Sequence, residues 1–218
     1  MDELDLLKKA WKKDNQSFQQ VTENEIYKMI HRKSSSIVKW ILIISILELV
    51  FWSLINIFYL GENYIKNEYS KDISEYVIEI NEVYNIISYS VVILFIYLFY
   101  KNYKSISATV STKQLMSDIL KTRRTVIYYV WFNIIFFVIG TLSIFYVQLN
   151  YDSKFSSLME KINGENGSWI LLKTIGLALG FVLLLALLIW LFYKLIYGIL
   201  LGKLYRNYKE LQKIDLES

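Results

Sequence analysis

The sequence predicts an all-α membrane protein, an antiparallel bundle of four transmembrane helices that extend beyond the bilayer. Four apolar stretches are each long enough to cross a hydrocarbon core as a helix, which takes roughly 20 residues. In lipid the backbone must satisfy its own hydrogen bonds, so such stretches form helices. Of the 218 residues 55% are hydrophobic and none is proline, so the spans should run straight. The predicted spans are 40–60, 86–103, 126–149 and 170–201.

Residues 1–36 are predicted to form a helical cytoplasmic segment with two apolar faces. Leucines and a tryptophan recur at helical spacing among lysines in the first ten or so residues, which indicates a short amphipathic helix. A second apolar face follows at the start of the next helix. Faces of this kind can bind a partner in a groove. The residues predicted to bind are Leu4, Leu7, Trp11, Ile26, Met29 and Ile30.

One long helix is predicted to begin in the cytoplasm and to become the first span. Thr22 and Glu25 have the spacing of a capping box, in which each side chain accepts a hydrogen bond from an amide that the helix leaves unpaired. The helical pattern then continues to Leu60, because a helix tolerates the serines at 34–36.

The other helices are also predicted to extend past the membrane. Apolar residues recur at three- and four-residue steps from Ile73 to Ile87, so the second helix should start outside the bilayer. The four-helix domain then covers 37–201. It includes an outer cap of 61–85 and 149–168 and a cytoplasmic loop at 104–125, in which Ser111 and Thr112 cap the third helix. The last span is predicted to continue into a charged, frayed helix that forms the cytoplasmic tail at 202–218.

Lysine and arginine counts predict the orientation. Residues 1–36 contain seven, 101–124 contain six and 202–218 contain four, whereas 61–85 and 149–168 contain two each. Because basic residues near span ends stay cytoplasmic, both termini are predicted to be cytoplasmic.

Composition argues against several kinds of function. Without cysteine there are no disulfides, thiolates or sulfur metal ligands. His31 is the only histidine, and beside Arg32 and Lys33 it is predicted to face solvent or lipid headgroups. Nucleotide-binding and hydrolase motifs are missing, so we expect no enzyme activity, no cofactor, no metal and no nucleic-acid binding. The acidic N-terminus is unlike a cleavable signal peptide.

Three polar residues inside the spans are candidate site residues. Glu48 lies roughly 12 Å into the first span, and a carboxylate at such depth is a functional candidate. Lys194 and Asn133 lie at similar depth in the fourth and third spans. The favoured interpretation is a buried Glu48–Lys194 pair with Asn133 hydrogen-bonded nearby. The alternative is a carboxylate that binds a proton or a ligand. Gly176 and Gly180 form a GxxxG motif, which we expect to pack within the chain.

The stretch MDELDLLKKAWKKDNQSFQQVTENEIYKMIHRKSSSIVKW resembles the start of a group of uncharacterised bacterial four-span proteins. This resemblance implies a multi-pass protein of the bacterial cytoplasmic (inner) membrane and provides no functional motif. Some members carry a carotenoid-oxygenase label. That family needs four histidines on iron in a soluble β-propeller, whereas this chain has only His31 and four predicted helices.

The layout of the chain suggests one leading class of function and two alternatives. The N-terminal helices are similar in arrangement to those of minimal transmembrane anti-sigma factors. The leading hypothesis is therefore a non-enzymatic membrane regulator or scaffold that holds a cytosolic partner, with a sigma factor as one candidate. Small multidrug exporters are similar in having four helices and a glutamate in the first, as at Glu48. The alternatives are thus an oligomeric proton-coupled transporter or a structural subunit of an envelope complex.

Overall fold

Four long α-helices make up the computed structural model, which describes residues 22–59, 71–151 and 167–217. Each helix is long and apolar enough to cross a membrane. The all-helical fold is therefore confirmed, and the predicted spans lie within these helices apart from residue 60. The helices are α1 (Glu23–Tyr59), α2 (Lys71–Ala108), α3 (Thr112–Tyr151) and α4 (Gly167–Glu217).

The start of α1 has the predicted capping box. The Thr22 amide donates to the Glu25 carboxylate at 3.0 Å, and the Glu25 amide donates to the Thr22 hydroxyl at 3.4 Å. This reciprocal pair satisfies two amides that have no partner inside the helix. The long first helix is therefore confirmed from Glu23.

The helices form an antiparallel ring. Helix α1 packs against α2 and α4, and α3 packs against the same two neighbours, so α1 and α3 lie on a diagonal. At one end the Tyr27 hydroxyl donates to the Thr109 carbonyl at 3.3 Å. At the other end Asn56 donates to Asn85 at 3.0 Å. We call the end at which α1 ends and α2 begins the outer end, and the opposite end the inner end, after the predicted orientation.

The inner end is closed by a cluster of apolar side chains, here called the inner core. All four helices contribute to it. Helices α2 and α3 reach this end because only residues 109–111 join them, so that the predicted loop at 104–125 is mostly helical. Its buried members are Ile30, Val38, Ile106, Leu115, Ile119, Leu204 and Leu211.

The predicted continuation of the last span into a helical tail is confirmed, but the predicted fraying of this tail is wrong. Helix α4 continues without a break to Glu217, and Leu211 is 0% exposed within the inner core. The Asn207 amide also donates to the Ser34 hydroxyl of α1 at 3.0 Å. Apolar burial against α1, α2 and α3 therefore stabilises the last turns of a helix whose charged residues suggested fraying.

A second cluster, the aromatic core, fills the middle of the bundle. Phe99 lies edge-on to Tyr129 with ring centroids 5.4 Å apart. Such edge-to-face pairs are favoured by the charge distribution of aromatic rings. The buried members of this cluster are Ile41, Val92, Phe99, Val126, Tyr129, Ile134, Tyr193 and Tyr197.

Packing is looser toward the outer end. Between residues 75 and 91 of α2 the one buried side chain is Ile78, whereas Tyr76 and Val83 of the predicted stripe are exposed. The interpretation of the GxxxG motif as an internal contact is also wrong, because no atom of a neighbouring element lies within 4 Å of an added Cβ at Gly176 or Gly180. Most of the predicted outer cap lies outside the described residues.

Candidate functional site: a cavity above Glu48

The outer half of the bundle contains a cavity of about 440 Å³ between α1, α2 and α3. It reaches from Glu48 to Val77 and Gln148 near the outer end, and Ile189 and Tyr193 of α4 contribute to its wall. Glu48 is the single charged side chain among the described residues that line it. Its polar walls include Asn56, Asn81, Asn85, Ser88, Asn133, Thr141 and Gln148.

Three tyrosine hydroxyls hold the Glu48 carboxylate. Tyr193 donates to Oε1, while Tyr129 and Tyr197 donate to Oε2 at 2.8 and 3.3 Å. A carboxylate offers about four acceptor positions. The Trp52 side chain, which also lines the cavity, is a further hydrogen-bonding partner of this carboxylate.

The three tyrosines are themselves fixed by the aromatic core. The rings of Tyr193 and Tyr197 stack with centroids 5.8 Å apart, and Tyr129 meets the ring of Phe95 edge-on at 5.4 Å. All three tyrosines are buried. Packing of the aromatic core below the carboxylate therefore holds Glu48 at the cavity wall.

The predicted Glu48–Lys194 pair is wrong. Lys194 is exposed, and its ammonium nitrogen lies 4.7 Å from the centroid of the Trp190 ring. Successive side chains on a helix lie about 100° apart. Because Tyr193 and Tyr197 face Glu48, Lys194 is directed to the outside of the bundle.

Asn133 lies on the cavity wall, as its predicted depth allows. Its amide nitrogen donates to the Tyr129 carbonyl at 2.9 Å, one turn earlier in α3. The amide oxygen remains an acceptor group on the wall next to Glu48. Asn133 and Glu48 therefore share one site, although no bond joins them among those of the described residues.

The predicted partner-binding face of the second cytoplasmic helix is covered by the chain itself. Ile30 is 2% exposed in the inner core, and Ile26 packs against the same cluster. Met29 is 48% exposed. The interpretation of Ile26 and Ile30 as a free docking face is therefore wrong, because α2, α3 and α4 extend far enough to cover them. Leu4, Leu7 and Trp11 lie outside the described residues.

Comparison with known proteins places the chain in a family. Residues 24–216 match DUF8845, which is described as a domain of unknown function. The chain belongs to the DUF8845 family. All cavity-lining residues fall inside the matched part of this DUF8845 protein. No curated protein and no solved structure matches it.

The geometry defines what the DUF8845 cavity can do chemically. A lone carboxylate away from water is costly unless it is neutralised by a proton or a cation. Three phenols supply hydrogen bonds but no charge. The described residues contain no group of three or more His, Asp or Glu side chains that could hold a metal ion. The described site therefore suits a proton or a singly charged ligand that also contacts apolar and aromatic walls.

Gly140 marks a close approach between α3 and α2 at this cavity. An added Cβ would lie 2.5 Å from the Tyr84 hydroxyl oxygen and 2.8 Å from the ring carbon that carries it. The same hydroxyl donates to the Phe136 carbonyl at 2.8 Å. Gly140→Ala should therefore displace Tyr84 and lower the free energy of unfolding by about 1–3 kcal/mol.

The measurement for Gly140→Ala is the melting temperature of the purified protein. Gly176→Ala is the matched control, because its Cβ would meet nothing within 4 Å. We expect the control to melt like the wild type. Equal melting temperatures for both variants would contradict the close approach of Tyr84 to Gly140.

Proposed function

We propose that this protein is a multi-pass protein of the bacterial cytoplasmic membrane that binds a small organic cation in the cavity above Glu48. The observation that carries the proposal is a single carboxylate at the base of a cavity whose other described lining residues are uncharged. Carboxylates within membrane spans commonly mark ligand or proton pathways. Glu48 would be the counter-ion of the bound cation.

Size and wall chemistry narrow the ligand class. A volume of about 440 Å³ falls in the range typical of small-molecule sites. Trp52, Tyr84 and Phe137 provide aromatic surface along the cavity. Aromatic faces attract organic cations, most strongly where water is excluded. These features support a cation with apolar substituents rather than a hydrated metal ion.

Coupling of cation binding to proton binding follows because Glu48 is the one carboxylate in the described part of the cavity that is available to both. Glu48 can bind a proton or the cation, and the two compete for the same negative charge. The aromatic core and the inner core close the bundle below the carboxylate, and the described cavity extends from Glu48 toward the outer end. This arrangement supports a proton-coupled carrier.

The test is equilibrium binding of tetraphenylphosphonium to the full chain in lipid nanodiscs. We expect saturable binding that weakens as the pH falls, since protons compete for Glu48. Triphenylphosphine oxide, an uncharged compound of similar chemistry, should bind much more weakly. Equal binding of the two compounds, or binding that does not change with pH, would contradict the proposal.

A cytosolic partner is a second candidate function, and it now depends on Leu4, Leu7 and Trp11. Their helical spacing supports an amphipathic helix that could dock on a soluble protein such as a sigma factor. Photo-crosslinking from position 11 of the full chain in cells tests this proposal. Crosslinks to lipid alone would contradict it.

A further inference from the structure

We infer that a second pocket, at the inner end of the first span, binds a phosphate group. It lies between α1 and the last turns of α2, far from the cavity above Glu48. The residues that carry the inference are His31, Arg32, Ser35, Ser36, Lys39 and Ser107.

The α1 side of this phosphate pocket is one stripe of donors. Three residues lie three, four and seven positions after Arg32, namely Ser35, Ser36 and Lys39. At this spacing the four side chains share one face of the helix. The positive charges of Arg32 and Lys39 therefore flank the hydroxyls of Ser35 and Ser36. No acidic side chain is among the described residues that line the pocket.

Helix α2 completes the pocket through Ser107. Its hydroxyl shares a hydrogen bond of 2.8 Å with the hydroxyl of Ser35. A hydroxyl pair of this kind holds both oxygens in place and still has hydrogen-bonding capacity for a ligand oxygen. The pocket has a volume of about 440 Å³, which is ample for a phosphate and its ester substituent.

An unpartnered nitrogen in the pocket also points to a ligand. Nε2 of His31 is buried and has no hydrogen-bond partner among the described residues. Buried polar atoms are nearly always paired, so such an exception needs an explanation. A phosphate oxygen would accept a hydrogen bond from this nitrogen while Arg32 and Lys39 neutralise the charge.

The position of the pocket allows two sources of phosphate. Trp40, next to Lys39, is exposed, as tryptophans at a membrane interface commonly are. The pocket therefore lies at the level of lipid headgroups if the spans lie in a membrane as proposed. A phospholipid headgroup and a soluble phosphate ester offer the same chemistry to these residues.

The experiment measures binding of short-chain ligands to the full chain in uncharged detergent by native mass spectrometry. The probes are dioctanoyl-phosphatidylglycerol, dioctanoylglycerol and glycerol phosphate. We expect the phosphatidylglycerol to bind and dioctanoylglycerol not to. Arg32→Gln with Lys39→Gln should weaken phosphate binding on the order of tenfold or more, because two cations near the phosphate are lost.

Matched controls make the result specific. Lys33→Gln with Lys101→Gln removes the same charge from exposed positions that do not line the pocket, and should change affinity by less than about twofold. Arg32→Lys with Lys39→Arg should retain binding. If glycerol phosphate also binds and loses affinity in the Arg32/Lys39 variant, the source is a soluble phosphate. If only the lipid does so, the source is a headgroup.

The inference is overturned by any of three results. These are binding of neither phosphate probe, equal binding of phosphatidylglycerol and dioctanoylglycerol, and equal loss in the two charge-removing variants. Melting temperatures of all variants show whether each is folded. If the glutamine variant does not fold, the variant Arg32→Lys with Lys39→Arg still tests the inference, because it should retain binding.

Discussion

Glu48→Gln should weaken tetraphenylphosphonium binding by at least about 30-fold while the bundle stays folded, because loss of one partner of a buried charge pair costs about 2–5 kcal/mol. Glutamine keeps the length of glutamate. Its amide oxygen can accept from Tyr129 and Tyr197, and its NH2 group can donate to the Tyr193 hydroxyl, which then acts as an acceptor. The hydrogen bonds at the base of the cavity can therefore persist without the negative charge. The measurement is equilibrium binding in nanodiscs, with the melting temperature of the same preparation.

A control for Glu48→Gln is available at the outer end of α2. Glu82→Gln makes the same chemical change on an exposed side chain that does not line the cavity. Its effect on affinity should stay below about twofold, since exposed charges are screened by water and salt. Comparable losses in the two variants would show that cation binding reflects net charge. Unchanged affinity in Glu48→Gln would remove Glu48 from the site.

Leu204→Ala should lower the free energy of unfolding by about 2–5 kcal/mol, since a fully buried leucine loses both its burial and its packing. Leu204 is 0% exposed and lies in the inner core among Ile30, Leu115 and Leu211. We expect a clear drop in melting temperature, because this core joins the ends of all four helices.

Leu195→Ala is the matched control for Leu204→Ala. Leu195 lies on the same helix and is 66% exposed, so its truncation should cost little. If the two variants melt at the same temperature, the last turns of α4 do not pack in an inner core. The predicted fraying would then describe these turns better than packing in the inner core.

Helix positions and depths were predictable from the sequence, whereas side-chain directions were not. Apolar runs and the capping box at Thr22 predicted where α1 starts and that it continues into a span. Depth along a helix follows from the rise per residue, so Glu48 and Asn133 were both expected at similar depth, in the cytoplasmic half of the spans. Rotation about the helix axis depends on packing against neighbours, and this is where Lys194 was misplaced.

The tyrosines of the site were visible in the sequence without being recognised. Tyr193 and Tyr197 are one turn apart and thus share a face of α4. In a chain with 18 tyrosines, interfacial belts and packing explain such residues equally well. Only the packing of α4 against α1 brings both hydroxyls to Glu48.

The two ends of the bundle show a similar limit of sequence reasoning. The apolar face with Ile26 and Ile30 was predicted, but its partner is the inner core of the same chain. The cavity was not predicted, because its polar residues are single side chains spread over three helices. Asn56 and Asn85, for example, are 29 residues apart in sequence and share a hydrogen bond across α1 and α2.

The most direct test of Glu48 as a cation-binding carboxylate is its protection from dicyclohexylcarbodiimide, an apolar reagent that modifies protonated carboxyl groups. Modification is measured by peptide mass spectrometry of the full chain in nanodiscs. We predict that Glu48 is modified, that saturating tetraphenylphosphonium slows its modification, and that triphenylphosphine oxide does not. Modification of Glu48 at the same rate with and without saturating tetraphenylphosphonium would contradict a shared site for the cation and the proton.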